Sequence, residues 1–528
     1  EPSESESEAT TDENCVCIPG QVDGCDGDDQ LLCADDCQGF APVPCDGLAV
    51  CVGGGCQPLF CAPGSRTCEG ADAYKVCNEE GSDYGDVIPC DDGEECQSGI
   101  CLTLCALAES DPSSVGCVFR GNKMQNFDEE PSSVVIGNVS ETHTANVQLY
   151  YYEGDAEQAE GGAVQVAPGQ SHEFVLTKPG EPGPVSVLRD GGTFKVVSDV
   201  PVVAYQHSPI DAEAHNDSSM LLPDHAQRQD YIVAAYTPSV GGNPAYFNVI
   251  ALEDNTVVEW TPPDGTAAGT GVMAVGPGQT GMATLGDGDM LQVTNGQGDV
   301  SGTYLKSTAP VWAVGAVQCV NVPSNITFCD HIEEQLIPLE YWGEEYVGAH
   351  APKRGNEDYW WRVYSGDAAV TIDTTPQQPG FPVTLDQGEF YEFSTQSSFI
   401  FAGDGPFMPV QYLESQDGGA GTGDPASYQM VPVEQFLDRY VFVTGSGYTF
   451  HYAQVIREAG GAPVLIDGVE VSGYYPVGGY EVADWPISEG AHLAESNQTF
   501  GIYQVGYTGV TSYAYPGGLQ LEVINPIR

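Results

Sequence analysis

One phrase recurs four times in this chain and constrains its architecture more than any other feature. It is written "FKVVSDVPVVAYQ" at 194–206, "TYLKSTAPVWAVGAVQ" at 303–318, "SFIFAGDGPFMPVQYL" at 398–413 and "NQTFGIYQVGYTG" at 497–509. The copies follow one another at intervals of about a hundred residues, which is the usual size of a β-sandwich domain. The repetition therefore predicts four related modules.

Each copy is interpreted as a hairpin whose second arm is a buried, apolar strand. A proline stands at the start of that arm in three copies, as Pro201, Pro310 and Pro406, and Phe500 takes its place in the fourth. Proline is tolerated at the start of a strand because the missing N–H does least harm there. A second element follows three of the copies, as "SSMLLPDHAQRQDYIV", "CDHIEEQLIPLEYWGEEYV" and "ASYQMVPVEQFLDRYV".

From about residue 106 the chain consists of short β-branched and aromatic runs separated by Gly, Pro, Asn and Asp. The runs "VQLYYYEG", "YFNVIALEDNTVVEWTPPDG", "WWRVYSGDAAVTID" and "YAQVIREAGGAPVLIDG" are predicted hairpins. No window has a sustained helical period. The predicted fold is all-β, a tandem of antiparallel β-sandwich-like modules with approximate bounds 106–217, 218–328, 329–425 and 426–528. A propeller is the less suitable alternative, because its blades are about half as long as this period. The sequence leaves open whether the modules form a line or a ring.

Sixteen of the eighteen cysteines fall between residues 15 and 117, in two sets with nearly the same spacing. The first set is Cys17, Cys25, Cys33, Cys45, Cys51, Cys56 and Cys61; the second is Cys61, Cys68, Cys77, Cys90, Cys96, Cys101 and Cys105. Cys15, Cys37 and Cys117 lie outside the repeat. Zinc sites would need CxxC pairs, which this sequence lacks, so the pattern predicts disulfides in an oxidising compartment.

The sets predict two disulfide-rich modules at 15–60 and 61–105, each too small for a sufficient apolar core. The pairing within them cannot be deduced from spacing. Farther along, Cys319 and Cys329 close the loop "CVNVPSNITFC", and we expect a local disulfide there. All eighteen cysteines are predicted to be paired.

The chain has 15 basic and 76 acidic residues, a formal net charge of −61. Such a surface repels nucleic acid and anionic membranes and suits cations, cationic partners or a salty medium. No apolar run is long enough for a membrane helix. With neither an initiator Met nor an apolar leader, the chain is expected to be a secreted product whose signal peptide has been removed.

Residues 1–14, "EPSESESEATTDEN", form an acidic Ser/Glu tail with no apolar residue to offset the entropy of ordering. A segment of this kind becomes ordered when another surface holds it. We therefore expect a neighbouring copy of the chain to bind it.

Several segments resemble those of the IgGFc-binding protein N-terminal domain family. They are "SDVPVVAYQ", "NDSSMLLPDHA", "ALEDNTVVEW", "CVNVPSNITFCDHIEEQLIP", "YWGEEYV", "GDPASYQMVPVEQF" and the closing "YPGG", and the resemblance extends from 116 to 526. Cys-rich repeats precede this domain in secreted bacterial proteins. The resemblance implies a secreted or surface protein, in a family named after an animal mucus protein that binds antibody constant regions. It brings no catalytic residues.

Two groups of residues were weighed as centres of chemistry. A Ser-His-Asp set could be composed from one stretch that contains His207, His215, His225, Asp211, Asp224 and Ser218. No nucleophile elbow accompanies it, so polar loop residues are the preferred interpretation. His331 lies near Asp330, Glu333 and Glu334 in "CDHIEEQ", which lacks the H-E-x-x-H spacing of a zinc site.

Two acidic clusters are candidate Ca²⁺ sites because they gather hard oxygen ligands around glycines. One consists of Asp23, Asp26, Asp28 and Asp29; the other consists of Asp91, Asp92, Glu94 and Glu95. Neither has the EF-hand spacing, and solvated turns are the alternative. No cofactor other than Ca²⁺ is indicated. N-x-S/T sequons at Asn138, Asn216, Asn325 and Asn497 would mark exposed loops if glycosylated.

The function favoured by these features is that of a non-enzymatic, secreted structural or adhesive protein. Its proposed form is the subunit of an extracellular homopolymer, in which the tail and the disulfide-rich modules of one copy pack on the β-region of the next. The alternative is a monomeric adhesin or receptor for a protein or glycan, and the remote alternative is a secreted hydrolase. The quaternary state separates the first two.

Overall fold

The computed structural model describes residues 15–46, 48–79, 81–91, 93–126, 131–210 and 214–527. The acidic tail, Asp92 and Asp211 lie outside the described residues. The chain divides into two compact units, residues 1–107 and 108–528. Among the described residues, no helix combines the length and apolar character that crossing a membrane requires.

The first unit is built from short antiparallel strands. These are β1 Val22–Asp26, β2 Asp29–Cys33, β3 Phe40–Val43, β4 Ala49–Val52, β5 Gly55–Pro58, β6 Arg66–Cys68, β7 Ala73–Val76, β8 Ile88–Pro89, β9 Glu94–Gln97 and β10 Ile100–Thr103. One helix follows them in the chain, α1 Leu104–Ser110. Strands β1–β3 and β6–β8 form two three-stranded sheets, and β4–β5 and β9–β10 form two hairpins. The two halves therefore repeat one arrangement.

The disulfides repeat in the same way. In each set the first cysteine pairs with the third, the second with the fifth and the fourth with the sixth. The pairs are Cys17–Cys33, Cys25–Cys51 and Cys45–Cys56, then Cys61–Cys77, Cys68–Cys96 and Cys90–Cys101. Cys15 pairs with Cys37, Cys319 pairs with Cys329, and Cys105 and Cys117 are also disulfide-bonded. The described residues include every cysteine, and none of them is free.

The second unit contains four β-modules, named I to IV. β-module I contains β11 Gly116–Gly121, β12 Ser132–Asn138, β13 Ala145–Glu153, β14 Ala156–Val166, β15 Ser171–Leu176, β17 Gly191–Ser208 and β18 Asp217–Leu221. Strand β16 Val187–Arg189 lies between β15 and β17 in the chain but joins the sheet of β-module II. β-module II contains β19 Arg228–Ile232, β20 Ala245–Ala251, β21 Thr256–Thr261, β22 Gly281–Leu285, β23 Met290–Thr294, β24 Tyr304–Val320 and β25 Asp330–Gln335.

The remaining strands form the last two modules. β-module III contains β26 Glu345–Gly348, β27 Tyr359–Ser365, β28 Val370–Thr375, β29 Val383–Leu385, β30 Phe390–Thr395, β31 Phe399–Gly403, β32 Phe407–Leu413 and β33 Ser427–Gln429. β-module IV contains β34 Leu437–Val443, β35 Phe450–Glu458, β36 Leu465–Ile466, β37 Val469–Glu470, β38 Tyr475–Val477, β39 Tyr480–Ile487, β40 Ala491–Tyr507 and β41 Ser512–Pro516.

The recurring phrase is the central strand of every module. In β-module I the first half of β17 pairs with β11 and β13, and its second half pairs with β12 and β18. Strands β24 and β40 behave in the same way, so one long strand belongs to both sheets of a sandwich. In β-module III the phrase is divided into β31 and β32, one for each sheet. The predicted all-β, sandwich-like fold is confirmed.

The interpretation of the phrase as a hairpin is wrong. Its proline stands where the chain leaves one hydrogen-bonded ladder and enters the other, and a residue without an N–H is acceptable at that point. The same side-chain hydrogen bond occurs where β17 and β24 pass from one sheet to the other. The hydroxyl of Ser198 lies 2.6 Å from the carbonyl of Val200, and that of Ser307 lies 2.7 Å from the carbonyl of Ala309.

Three of the other predicted hairpins are also wrong. The pairs β20–β21, β27–β28 and β35–β36 follow one another in sequence, but each pair divides between the two sheets and its members pair with different halves of the central strand. These connections are arches between sheets. The segment "VQLYYYEG" does belong to a hairpin, formed by β13 and β14, with Gly154 at φ +60° in the turn.

The second recurring element links one module to the next. Its first part is an inner strand on the central strand of the earlier module, and its last part is the first strand of the next module. A 3₁₀ turn separates the two parts at Asp224–Ala226, Leu339–Tyr341 and Val433–Gln435. The structural boundaries therefore fall inside this element, and the predicted bounds at 217/218, 328/329 and 425/426 come too early by one strand.

The four modules form a closed ring. Their inner strands β18, β25, β33 and β41 each contact the next, and β41 returns to β18. The two ends of the unit complete the circle, because Ser114 N donates to Leu519 O at 3.0 Å and Leu521 N donates to Pro112 O at 2.9 Å. Ring closure answers the question that the sequence left open.

Candidate functional site

A cleft of about 980 Å³ lies between loops of β-modules II and III. Its apolar walls include Pro262, Pro263, Tyr304, Leu385 and Phe390. The residues come from turns at the ends of the strands, which is where β-scaffolds usually present their binding loops.

Two glycines in the lining of this cleft let loops of the two modules approach closely. A Cβ added to Gly302 would lie 2.2 Å from the carbonyl oxygen of Gly388, and a Cβ on Gly388 would lie 2.6 Å from that of Gly302. Both residues have φ of +79°. Only glycine combines this backbone conformation with so close an approach of two loops.

Arg362, on β27 of β-module III, binds residues of β-module II beside the cleft. Its guanidinium donates to Asp299 at 2.9 Å and to Glu392 at 2.8 Å. It also donates to Ala235 O, Ser301 Oγ and Thr237 Oγ1 at 2.8–3.1 Å.

The same guanidinium lies over two aromatic rings. Its central carbon is 4.1 Å from the ring centre of Tyr236 and 4.4 Å from that of Phe390. Burial opposes ionisation of Asp299, yet Arg362 holds the pKa of this carboxyl below its ordinary value. The charge of Arg362 is thus neutralised by carboxylates inside the protein, and its contacts join β-modules II and III beside the cleft.

The mouth of the cleft is acidic. Asp264 of β-module II and Glu389 of β-module III are exposed, and Asp299 of β-module II is half-buried. Among the described lining residues none is Lys, Arg or His. A cleft with apolar walls and exposed carboxylates suits a ligand with cationic side chains.

A second polar cluster lies on the axis of the ring. The carboxylate of Asp217 accepts main-chain N–H groups of Ser218 at 2.8 Å, Glu333 at 3.2 Å and Ser427 at 3.1 Å, which belong to three modules. Burial raises the pKa of Asp217 despite these donors, and Glu333 nearby adds to the shift. The cluster joins modules and is closed to solvent.

Among its described residues, which exclude Asp211, the histidine stretch contains no accessible catalytic set. His207 and Ser218 lie on the paired strands β17 and β18, so the interpretation as loop residues is wrong for both. Their side chains contact each other, but Ser218 is fully buried and burial lowers the pKa of His207 to about 4. Asp224 instead pairs with Arg120 at 3.0 Å. His225 lies in the 3₁₀ turn that links β-modules I and II.

His331 is also structural. Its two ring nitrogens lie 2.9 Å from Val317 O and 3.2 Å from Glu333 Oε2, and the side chain is fully buried on β25.

The described residues of the two candidate calcium clusters, which exclude Asp92, do not bring three ligand atoms within 4.8 Å of one another. Within the described ranges, one group of three His, Cys, Asp or Glu ligand atoms lies within 4.8 Å, namely His215, Cys319 and Cys329. Its cysteines form a disulfide and therefore are not metal ligands. Asp23, Asp26 and Asp28 are exposed on the β1–β2 hairpin, so the first cluster has the geometry of solvated turns.

The sequons divide into two kinds. Asn138 and Asn216 are 0% and 2% exposed, and both side chains are hydrogen-bonded inside the fold. Their interpretation as exposed acceptors is wrong. Asn325 and Asn497 lie on the surface.

The cleft residues gave no signal in the sequence. They belong to loops of two modules, and no spacing rule brings Gly302 close to Gly388. The presence of a glycine in each of the two turns is the one sequence feature compatible with this close contact between loops.

Comparison with known proteins gives one family. A family model described as IgGFc binding protein matches residues 217–506, which is more than half of the chain. The match begins at β18, includes β-modules II and III, and ends within β40. β-module I has the same topology but lies almost entirely outside the matched residues. A search among curated proteins found no match.

Proposed function

Because the chain belongs to the IgGFc binding protein family, we propose that it is an extracellular, non-enzymatic protein that binds a cationic protein ligand in the cleft between β-modules II and III. The family description indicates a protein-binding domain, and the disulfide-rich first unit suits an extracellular protein. The observation that supports the location is the acidic cleft itself, built by two modules within the matched residues.

Charge supports the class of ligand. The chain has a net charge of −61, so a cationic partner is attracted from a distance while an anionic one is repelled. Asp264 and Glu389 contribute two exposed carboxylates to the cleft, and its apolar walls can bury the stems of lysine or arginine side chains.

The test compares two soluble probes, a fluorescent peptide of alternating Lys and Ala and its Glu and Ala counterpart. We expect the full chain to bind the lysine peptide selectively. The double variant Asp264→Asn with Glu389→Gln removes two charges with little change in size, and should weaken binding on the order of fivefold. The control, Glu253→Gln with Asp373→Asn, makes the same charge change at exposed positions outside the cleft.

Equal affinities of the two double variants would contradict the assignment to the cleft. Binding of purified immunoglobulin Fc is measured in parallel, since the family description names it. Binding of neither Fc nor the lysine peptide would contradict the proposal as a whole.

A second candidate is the homopolymer subunit. The tail that motivates it lies outside the described residues, but the first unit offers independent support. Val16, Ile18 and Phe60 are 71%, 70% and 69% exposed, a high exposure for large apolar side chains. A small, disulfide-bonded unit that presents several such side chains is suited to pack on another surface.

Sedimentation of the full chain at high salt tests this candidate. A polymer should sediment rapidly, and the variant Ile18→Ser with Phe60→Ser should release slowly sedimenting subunits. The control Val469→Ser changes a 55% exposed valine of β-module IV. A native chain that sediments as a monomer would leave the binding protein as the sole candidate.

A further inference from the structure

The first and fourth β-modules meet at one end of the ring axis, where a threonine and an asparagine from distant parts of the chain are in contact. Thr511 lies in the turn between β40 and β41, and Asn216 immediately precedes β18. The two residues are 295 positions apart, and both are buried, at 0% and 2% exposure.

The Thr511 hydroxyl is surrounded by acceptors. Its Oγ1 contacts Asn216 Oδ1, lies 3.1 Å from the main-chain oxygen of Asn216 and lies 2.8 Å from Asp330 Oδ2. A hydroxyl has one hydrogen, so it donates to one of these three oxygens at a time. The contacts therefore place the Thr511 hydroxyl against the side-chain amide of Asn216, with the carboxyl group of Asp330 beside it.

Two neighbours orient the side chains that meet here. Asn216 Nδ2 donates to the Tyr448 hydroxyl at 2.7 Å, which fixes the side-chain amide. Asp330 Oδ1 accepts the N–H of His331 at 2.9 Å, which leaves Oδ2 directed at Thr511. Nucleophile, carboxamide and acid–base group are thus held together without solvent.

From this constellation we propose that Thr511 and Asn216 are joined by an intramolecular ester bond that closes the ring covalently. Thr511 Oγ1 attacks Cγ of Asn216 while the ionised Asp330 carboxylate takes the hydroxyl proton. When the tetrahedral intermediate collapses, the C–N bond breaks, Asp330 returns the proton to Nδ2 and ammonia leaves. The products are one ester and one ammonia, and the reaction requires no oxidant, reductant or cofactor.

Physical chemistry favours the reaction at this place. Holding a hydroxyl against an amide replaces a bimolecular encounter with a unimolecular step. Burial raises the pKa of Asp330, and Asp424 adds to the shift, which makes the ionised form a stronger base. Exclusion of water protects the ester from hydrolysis once it has formed.

The sequence makes the bond straightforward to detect. Trypsin cuts after Lys195 and Arg228 to release 196–228, and after Arg457 to release 458–528. The first peptide contains Asn216 and the second contains Thr511. Neither contains a cysteine, so no disulfide can link them.

Mass spectrometry of the denatured full chain should show a mass about 17 Da below that of the disulfide-bonded sequence, the loss of one ammonia. Tryptic digestion should yield 196–228 and 458–528 as one species, which hydroxylamine separates. Two separate peptides would overturn the proposal. A cyclised Asn216 would also lose ammonia but would leave the peptides separate, and so counts against the ester.

Variants assign the roles. Thr511→Val and Asp330→Asn should each give separate peptides and the full mass. Thr508→Val, in the same turn, should keep the linked species. Because the wild-type digest is decisive by itself, the test does not depend on the folding of a variant. A linked species in Asp330→Asn would overturn the role of Asp330.

Discussion

Replacing Asp424 with asparagine should make the ring more stable at neutral pH and less sensitive to pH. Asp424 is 2% exposed, in the loop between β32 and β33, and its Oδ1 accepts the N–H of Gln416 at 3.0 Å. Burial raises its pKa from 3.8 to about 7, while the Gln416 N–H and Arg354 act in the opposite direction. Asparagine keeps the Oδ1 acceptor and removes the charge.

The magnitude follows from that shift. A pKa raised from 3.8 to about 7 corresponds to about 4 kcal/mol, at about 1.4 kcal/mol per pKa unit. Below pH 3.8 both the folded and the unfolded chain hold the proton, so the group does not oppose folding. As the pH rises to about 7 the unfolded chain loses the proton first, and the free energy of unfolding falls.

Urea unfolding between pH 4 and 8 measures the effect, with the disulfides intact. Tryptophan fluorescence reports on the ring, since all six tryptophans lie in the second unit and Trp260, Trp312 and Trp361 are fully buried. Over this range the wild-type free energy of unfolding should fall by about 4 kcal/mol more than that of Asp424→Asn. Glu253→Gln, an exposed change of equal charge, controls for the general effect of the net charge. Parallel pH profiles of wild type and Asp424→Asn would refute the reasoning.

Further predictions concern packing, the cleft and a buried imidazole. Gly315→Ala should lower the thermal midpoint strongly, because its Cβ would lie 1.9 Å from the carbonyl oxygen of Ala234. The control Gly241→Ala has open space around the added Cβ and should change the midpoint little, so equal midpoints for the two variants would contradict the prediction. Arg362→Lys should cost about 2–4 kcal/mol in urea unfolding, because an ammonium cannot replace a guanidinium bound to two carboxylates and two aromatic rings. The imidazole of His207 should titrate near pH 4 by NMR, and stability should be lost as the pH falls from 6.5 towards that value; a midpoint near 6.5 would contradict its burial.

The number and size of the β-modules could be predicted from sequence, because an apolar phrase repeated at domain spacing leaves few alternatives. What the phrase does within a module could not. Alternating residues around Pro201 describe a hairpin and a strand that changes sheet equally well, since both have period two and both tolerate one missing N–H. The choice depends on β12 and β13, which pair with different halves of β17.

The disulfide pairing illustrates the same limit. The nearly equal spacing of the two sets indicates that they repeat, but several pairings satisfy a given spacing. The pattern of first with third, second with fifth and fourth with sixth depends on which hairpins stack. The candidate cleft was beyond prediction for a related reason, since Gly302 and Gly388 approach each other through loops of separate modules.

The inner strands β18, β25, β33 and β41 carry buried polar residues, and the closed ring gives a physical reason for them. Four similar inner strands present similar edges, and an apolar axis would let any of them pair in several registers. Asp217 accepts N–H groups from β25 and β33 as well as from its own strand, and Ser219 Oγ accepts the N–H of Gln335 at 2.7 Å. These bonds form in one register only. Since burial raises the pKa of Asp217, the specificity is obtained at a cost in stability that increases with pH. β-modules I and IV are neighbours in the ring, but the chain does not connect them directly. An ester between Thr511 and Asn216 would link these two modules covalently and would so offset the loss of stability caused by burying Asp217.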